Sequence, residues 1–331
     1  MKKIILLIIC CLFSAATTVL AQGSGKIFLQ HNGTITKIYD NDGISKAIEA
    51  AAEGDTLYLS SGNFNGGITI NKSIAIIGTS ATGSNSSNFT WDGGDAIIQT
   101  ENEKTISSIY IEGVSFNRSL NFNSNVKAFS AKKCYFSNGI NLGNNSSNTE
   151  KATIDRCRIN CLYMGGQIKD LTCKNSKIEN TNGTGGITIS SCKIINCNIR
   201  SIDTYTKAMF INSIVNTVGN GTDSYLSSQS MLVNTLYHNM NGYDPMQKCS
   251  QQDCWSSTET LISDDSNYNC TLTADQLKKA GYLGTDGTVV GCEGGVNPYT
   301  LERHVPVITQ KGTKVDLDSK KVIINVNVTA K

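Results

Sequence analysis

The feature that most constrains the fold of this chain is a repeat of about 20 residues along its middle. One apolar or aromatic column recurs at spacings of 16 to 23 residues, at Phe116, Phe136, Ile159, Ile178, Ile199, Val215 and Tyr237. The positions two, five and seven residues before each of these are apolar or small. Side chains two residues apart on a strand point to the same face, so each repeat contains two inward-facing pairs on short strands.

A turn column lies between the two inward pairs of each repeat. The three-residue step there breaks the strand alternation, at Gly113, Lys133, Arg156, Asn175, Asn196, Asn212 and Asn234. Gly and Asn tolerate positive φ best, and four successive Asn in one column predict an Asn ladder along the stack. Such a unit is one coil of a parallel β-helix, whereas helical solenoids need longer units with a 3.6-residue period.

The same layout extends upstream and defines the solenoid. Ile76 lies 40 residues before Phe116, which predicts two coils with residues 96–98 in the missing one. We therefore predict an all-β fold, a parallel β-helix of about eleven coils over residues 55–297. Apolar residues on one face of residues 42–53 predict a short helix, within a cap at 22–54, that closes the first coil.

The N-terminal segments AIEAAAEGDTLYL (47–59) and KSIAIIG (72–78) carry a family resemblance. They resemble the opening of secreted bacterial right-handed β-helix proteins of the pectate-lyase-like superfamily, as does the glycine-rich segment AGYLGTDGT (280–288). The resemblance implies a right-handed solenoid, the capping helix and export. It does not imply catalysis, because this fold carries lyases, hydrolases, adhesins and proteins without known activity.

The two ends of the chain carry further signals. Residues 1–21 resemble a secretory signal peptide, since lysines precede an apolar stretch at 4–13 and small residues end at Ala21. That stretch is too short to cross a ~30 Å hydrocarbon core. We expect a mature chain that is secreted, periplasmic or on the cell surface, without a membrane span. Residues 298–331 predict a β-hairpin covering the last coil, with a secretion-sorting tail as the alternative.

Ten of the 12 cysteines follow the predicted signal peptide. Five fall in the inward columns: Cys134, Cys157, Cys173, Cys192 and Cys197. Neighbouring strands lie ~4.8 Å apart, beyond the ~3.8 Å Cβ separation of a disulfide, so we expect these thiols to be free. Disulfides stay an open alternative for four others, Cys249, Cys254, Cys270 and Cys292. A zinc site is disfavoured because no Cys-x-x-Cys spacing occurs.

Catalytic and charge patterns exclude several classes of function. The only adjacent carboxylates, Asp264 and Asp265, lie in a Ser/Asn-rich loop, and the three His are isolated. We therefore predict no catalytic residue, no metal site and no cofactor. The formal charge of +2 does not indicate a nucleic-acid partner.

A basic stripe is the one outward cluster that the repeat alignment brings together. It consists of Lys132, Lys133, Tyr135, Arg156, Arg158, Lys174 and Lys177, on three consecutive coils. Arg and Lys can bind carboxylates or sulfates, and Tyr can pack against a sugar ring, so we predict low-affinity binding of a glycan there. The alternative is an ordinary solvated strand face whose charges prevent aggregation.

Two classes of function follow from the sequence. The first is an exported, non-catalytic β-helix, secreted or on the cell surface, that binds an anionic polysaccharide. The second is a carbohydrate-active enzyme, a polysaccharide lyase acting on a uronate polymer, and Ca²⁺ belongs only to this alternative. The lack of aligned carboxylates favours the first class.

Overall fold

A computed structural model describes residues 25–302, except for 66, 84–85, 90–93, 102–103, 144–146, 166, 184–191, 220–223, 240–243 and 266. It also describes the backbone of residues 307–316 and 321–329. The predicted signal peptide lies outside the described residues.

The N-terminal cap begins with an antiparallel pair of strands, β1 (Lys26–His31) and β2 (Thr34–Asp40), followed by helix α1 (Ile44–Ala50). The predicted helix is therefore present, and its Ile44, Ala47 and Ile48 are buried. The sequence pattern did not predict the strand pair, which extends the first sheet beyond the solenoid because β1 pairs antiparallel with the first solenoid strand.

The solenoid is built from short parallel strands. In its N-terminal part each coil has three: β3 (Thr56–Leu59), β4 (Gly62–Phe64), β5 (Thr69–Ile70), β6 (Ile74–Ile77), β7 (Ser87–Phe89), β8 (Ala96–Ile98), β9 (Ile106–Glu112), β10 (Val114–Phe116), β11 (Leu120–Phe122), β12 (Val126–Lys132), β13 (Tyr135–Phe136) and β14 (Ile140–Asn141). In its C-terminal part each coil has two: β15 (Asn148–Asp155), β16 (Arg158–Met164), β17 (Gln167–Lys174), β18 (Lys177–Gly183), β19 (Cys192–Ile195), β20 (Asn198–Ile202), β21 (Met209–Ile211), β22 (Ile214–Val218), β23 (Met231–Val233), β24 (Leu236–His238), β25 (Ser250–Gln252) and β26 (Trp255–Ser257).

These strands form two sheets that stack coil upon coil. A 12-stranded sheet runs from β2 to β25, and a 14-stranded sheet contains the second and third strands of each coil. The structure is thus the all-β, mostly parallel solenoid that the repeat predicts.

The strand register confirms the repeat alignment. The predicted reference column pairs strand by strand in the second sheet, from Phe116 to Tyr237. The column five residues earlier pairs in the same way in the first sheet, from Ile111 to Leu232. Both columns lie in the buried core, where Phe116 stacks on Phe136 with ring centroids 5.3 Å apart.

The turn column has the backbone conformation that its composition predicts. Its φ angles are positive throughout, at Gly113 (66°), Lys133 (52°), Arg156 (54°), Asn175 (49°), Asn196 (51°), Asn212 (51°) and Asn234 (44°). Left-handed backbone costs an ordinary L-residue about 1–2 kcal/mol but favours Asn and Gly. The ladder therefore follows from the conformation that the coil corner requires.

The coil count differs from the prediction. The solenoid has fewer turns than the eleven predicted. Ile76 pairs directly with Ile111, so one long coil occupies the stretch in which we expected two. Residues 96–98 are the third strand of that coil and pair with β5 and β11. The last solenoid strand in the described chain ends at Ser257, well before residue 297.

Residues 258–265 and 267–302 form a strap that folds back along the outside of the solenoid. Its helix α2 (Ala274–Lys279) begins with a capping box between Thr273 and Gln276. Strap backbone packs closely on the Asn ladder, since a Cβ atom at Gly284 would lie 2.6 Å from Cγ of Asn212. The two C-terminal strands, β27 (Val307–Asp316) and β28 (Lys321–Thr329), form the predicted hairpin and pair with each other in a separate two-stranded sheet.

All ten cysteines of the described chain are free thiols. The five in the inward columns are buried, as expected, and burial raises the pKa of Cys192 and Cys197. The four cysteines for which disulfides were an alternative are also unpaired, and burial raises their pKa values as well. These thiols therefore act as small apolar groups.

Candidate functional site

The structure brings the seven residues of the basic stripe onto neighbouring strands, but none of them has an open side chain. Lys133 and Lys177 are buried, and the other five are partly buried. Whether they bind a glycan stays a prediction, and the contacts they make within the protein are described next.

Acidic side chains alternate with the lysines of the stripe on the first sheet. Glu112, Lys132, Asp155 and Lys174 are successive register partners on four adjacent strands. Lys132 lies 4.0 Å from Glu112, and Arg156 binds Asp155 at 2.9 Å. Cross-strand pairs of opposite charge stabilise a sheet, so this part of the stripe carries little net charge.

The strap binds the remaining cations. Lys133 Nζ donates to the carbonyl of Glu302 at 2.6 Å, and Lys177 Nζ donates to Oδ1 of Asn269 at 2.5 Å. Lys177 also lies 4.6 Å from the ring centroid of Tyr299. An anionic glycan would have to displace these contacts to reach the lysines.

Arg158 is enclosed in a similar way. Its guanidinium lies between two aromatic rings, with its carbon 4.5 Å from the Tyr135 centroid and 5.5 Å from that of Tyr268, which belongs to the strap. Nη1 donates to Oδ1 of Asn267 at 3.2 Å. Such cation–π and hydrogen-bond contacts attach the strap to the solenoid.

A second feature, which the sequence analysis did not identify, is an open groove on the second sheet. We call it the tyrosine groove. Its volume is about 510 Å³, and it is lined by Asn138, Asn160, Cys161, Tyr163, Asn180, Thr181, Asn182, Ser201, Asp203, Thr204, Tyr205, Gly219 and Ser224. A volume of this size is typical of small-molecule binding sites.

A bend in β16 creates the groove. Cys161 and Leu162 are both buried, so the inward–outward alternation is broken between them. Asn160 and Tyr163, three residues apart, therefore both face outward from either side of the bend. The alternation also changes phase on the next strand, between the consecutive partly buried residues Glu179 and Asn180, after which Asn180 and Asn182 face outward around buried Thr181.

The parallel register aligns polar groups along the groove. Cys161, Asn180 and Ser201 are successive partners on β16, β18 and β20. Tyr163 pairs with Asn182 on one side and with Asn141 on the other. Side chains at equivalent positions of successive coils thus repeat at the ~4.8 Å strand spacing along the solenoid axis.

Three amides in the groove have unused hydrogen-bonding capacity. Within the described part of the chain, the side chains of Asn160, Asn180 and Asn182 make no hydrogen bond to protein. Each amide offers two donors and an acceptor that accepts up to two bonds. They can therefore pair with a ligand that carries several hydroxyl groups.

Two exposed tyrosines complete the groove. Tyr205 has 63% and Tyr163 has 38% of its surface exposed, whereas large hydrophobic side chains are otherwise mostly buried. The bond between the Tyr163 and Cys161 side chains raises the pKa of Tyr163, and burial raises that of Cys161. Both groups are therefore neutral at neutral pH, and Asp203 is the one charged side chain among the described lining residues.

Among the described residues, no cluster of His, Cys, Asp and Glu is arranged to hold a metal ion. No helix among the same residues has the length and apolar composition to cross a membrane.

Comparison with known family models, curated proteins and solved structures finds no match to this chain.

Proposed function

We propose that this chain is an exported, non-catalytic β-helix protein that binds polysaccharide in the tyrosine groove. The observation that carries the proposal is the combination of two exposed tyrosine rings with three unpaired Asn amides in one groove. Sugars present hydroxyl groups at their edges and C–H groups on their faces. Amides match the edges and aromatic rings match the faces, because Tyr combines a large apolar surface with a polar end.

The groove is a better candidate than the basic stripe for this role. Its aromatic rings are accessible, whereas the strap holds Arg158 and Lys177. The side-chain amides of Asn160, Asn180 and Asn182 need no displacement of protein partners before they bind a ligand. An accessible amide without a protein partner can bond a ligand hydroxyl at a small cost in free energy. Binding at the stripe would instead break a charge-assisted bond and leave a buried charge unpaired.

Replacing the tyrosines is the direct test of binding. Tyr205→Ala and Tyr163→Ala should each weaken the Kd for a glycan, selected on an array with the native chain, at least about tenfold, since each removes one aromatic contact. Both variants should keep the native Tm. Ile38→Ala is the matched control, because Ile38 is 62% exposed and lies on β2 of the N-terminal cap, outside the groove. Equal affinity in all four proteins would refute the groove as the binding site.

Export has its own test. Cleavage after Ala21 should give a mature chain that begins at Gln22, because the small-residue motif ends there. N-terminal sequencing of the protein from its native host measures this directly. A chain in the cytoplasm that retains residues 1–21 would contradict export.

The alternative function is a polysaccharide lyase, and it predicts turnover as well as binding. A lyase needs a base near the substrate and a group that neutralises the uronate. Among the described residues that line the groove the only carboxyl is that of Asp203, and one of its oxygens accepts from the Tyr205 backbone N–H at 2.8 Å. Incubation with pectin, alginate or a glycosaminoglycan should release no unsaturated product. Release of such a product would establish the lyase instead.

A further inference from the structure

We infer that the tyrosine groove takes an uncharged sugar polymer, aligned with the solenoid axis and contacted over about three residues. The inference rests on the proposed function and adds the chemical class, direction and length of the ligand. Three observations carry it: the spacing of the polar groups, the number of coils that line the groove, and its charge.

The spacing sets the direction. Outward polar groups recur from coil to coil along the axis, as Asn180 and Ser201 do in one row and Tyr163 and Asn182 do in another. A polymer parallel to the axis meets a polar group at each ~4.8 Å step, which is close to the length of one pyranose unit. A polymer that runs along a strand, perpendicular to the axis, would meet the bend and leave the repeated groups. The repeat of the protein therefore matches a repeating ligand only along the axis.

The number of coils sets the length. Asn138, Asn160, Asn180 and Ser201 come from four successive coils, which are separated by three steps or about 14 Å. Tyr163 lies in the middle of this run, and Tyr205 follows the strand that carries Ser201. Three sugar units placed at these steps would contact both rings and all three unpaired amides. Further sugar units would extend beyond the groove and add little binding affinity.

The charge sets the class. No Lys or Arg is present among the described lining residues, and Asp203 contributes a carboxylate. Its Oδ1 atom is held by the turn at Tyr205, so the negative charge is fixed in position. A uronate or sulfate group would be repelled by Asp203 and would find no cation in the groove. Hydroxyl groups, in contrast, can donate to the carboxylate.

The test uses calorimetric titration of the mature chain with oligosaccharides of one to six units. The probes are neutral cello-, manno-, xylo- and chito-oligosaccharides, with oligogalacturonates of the same lengths. For at least one neutral series, affinity should rise from one to three units by about tenfold or more and then stay within about twofold. The oligogalacturonate of three units should bind about tenfold more weakly. A continued rise to six units, or tighter binding of the uronate, would overturn the inference and leave polysaccharide binding intact.

Two further results separate the inference from the proposed function. Asp203→Asn keeps an oxygen that can accept from the Tyr205 N–H and removes the charge. It should lower the ratio of the uronate Kd to the neutral Kd about tenfold if Asp203 sets the class. An unchanged ratio would refute that role. If no oligosaccharide of any series binds to the native chain, the proposed function itself fails, and the inference fails with it.

Discussion

Ile154→Asp should destabilise the protein by at least about 4 kcal/mol, because it places a carboxylate in the centre of the stack. Ile154 is fully buried, and its register partners on the adjacent strands are Ala131 and Cys173. Neither neighbour can pair with a charge. Since whole domains are stable by only about 5–15 kcal/mol, the variant should unfold at a much lower denaturant concentration. Urea unfolding followed by far-ultraviolet circular dichroism measures the loss.

Thr153→Asp is the matched control on the same strand. Thr153 is only partly buried and lies between Ser130 and Thr172 on the outer face. The same carboxylate there remains hydrated and should cost less than about 1 kcal/mol. If the two variants were equally stable, the inward and outward assignments of β15 would be wrong.

Asn212→Ala should cost about 2–4 kcal/mol through two separate effects. Asn212 has φ of 51°, a conformation that costs Ala about 1–2 kcal/mol. Its buried amide also holds the strap: Oδ1 accepts from the Thr285 backbone N–H at 3.0 Å, and Nδ2 donates to the Thr285 hydroxyl at 3.2 Å. Both bonds lie at a partly buried site, and the loss of each costs about 0.5–1.5 kcal/mol.

Asn212→Gly separates the two effects. Gly adopts positive φ without strain but provides no amide, so this variant should lose only the bonds to the strap. Thermal or urea unfolding should therefore rank stability as Asn, then Gly, then Ala. In helices and strands Ala is ordinarily more stabilising than Gly, so this order of stability would be the reverse of the usual one. If Ala were the more stable replacement, the argument from backbone conformation at this corner would fail.

The solenoid could be predicted from the sequence because its contacts are periodic. The column from Ile111 to Leu232 and the positive-φ corner at Asn212 repeat at nearly constant spacing, and every repeat supports the same register. The coil count was wrong where the period failed. Residues between Ile76 and Ile111 make one long coil, and spacing alone cannot distinguish a long coil from two short ones.

The candidate site was harder to predict for a different physical reason. The groove depends on the bend at Cys161 and Leu162, where two consecutive residues are buried and the alternation used to assign faces changes phase. The strap depends on contacts without any period, such as that between Lys133 and Glu302. The repeat pattern places Lys133 in the turn column but cannot show which distant segment will cover it.

The path of the strap also determines the order in which the molecule can assemble. Contacts between neighbouring coils join residues close in sequence, such as Cys134 and Cys157, whereas the strap joins Lys133 to Glu302 across 169 positions. Contacts with short loops form first, because closing a long loop costs more entropy. A ribosome releases the strap after every coil that it covers. The corner amides of Asn175 and Asn212 therefore stay in water until the strap has been made, and a nascent chain that stops before the strap keeps a full stack of coils whose corner amides lack their strap partners.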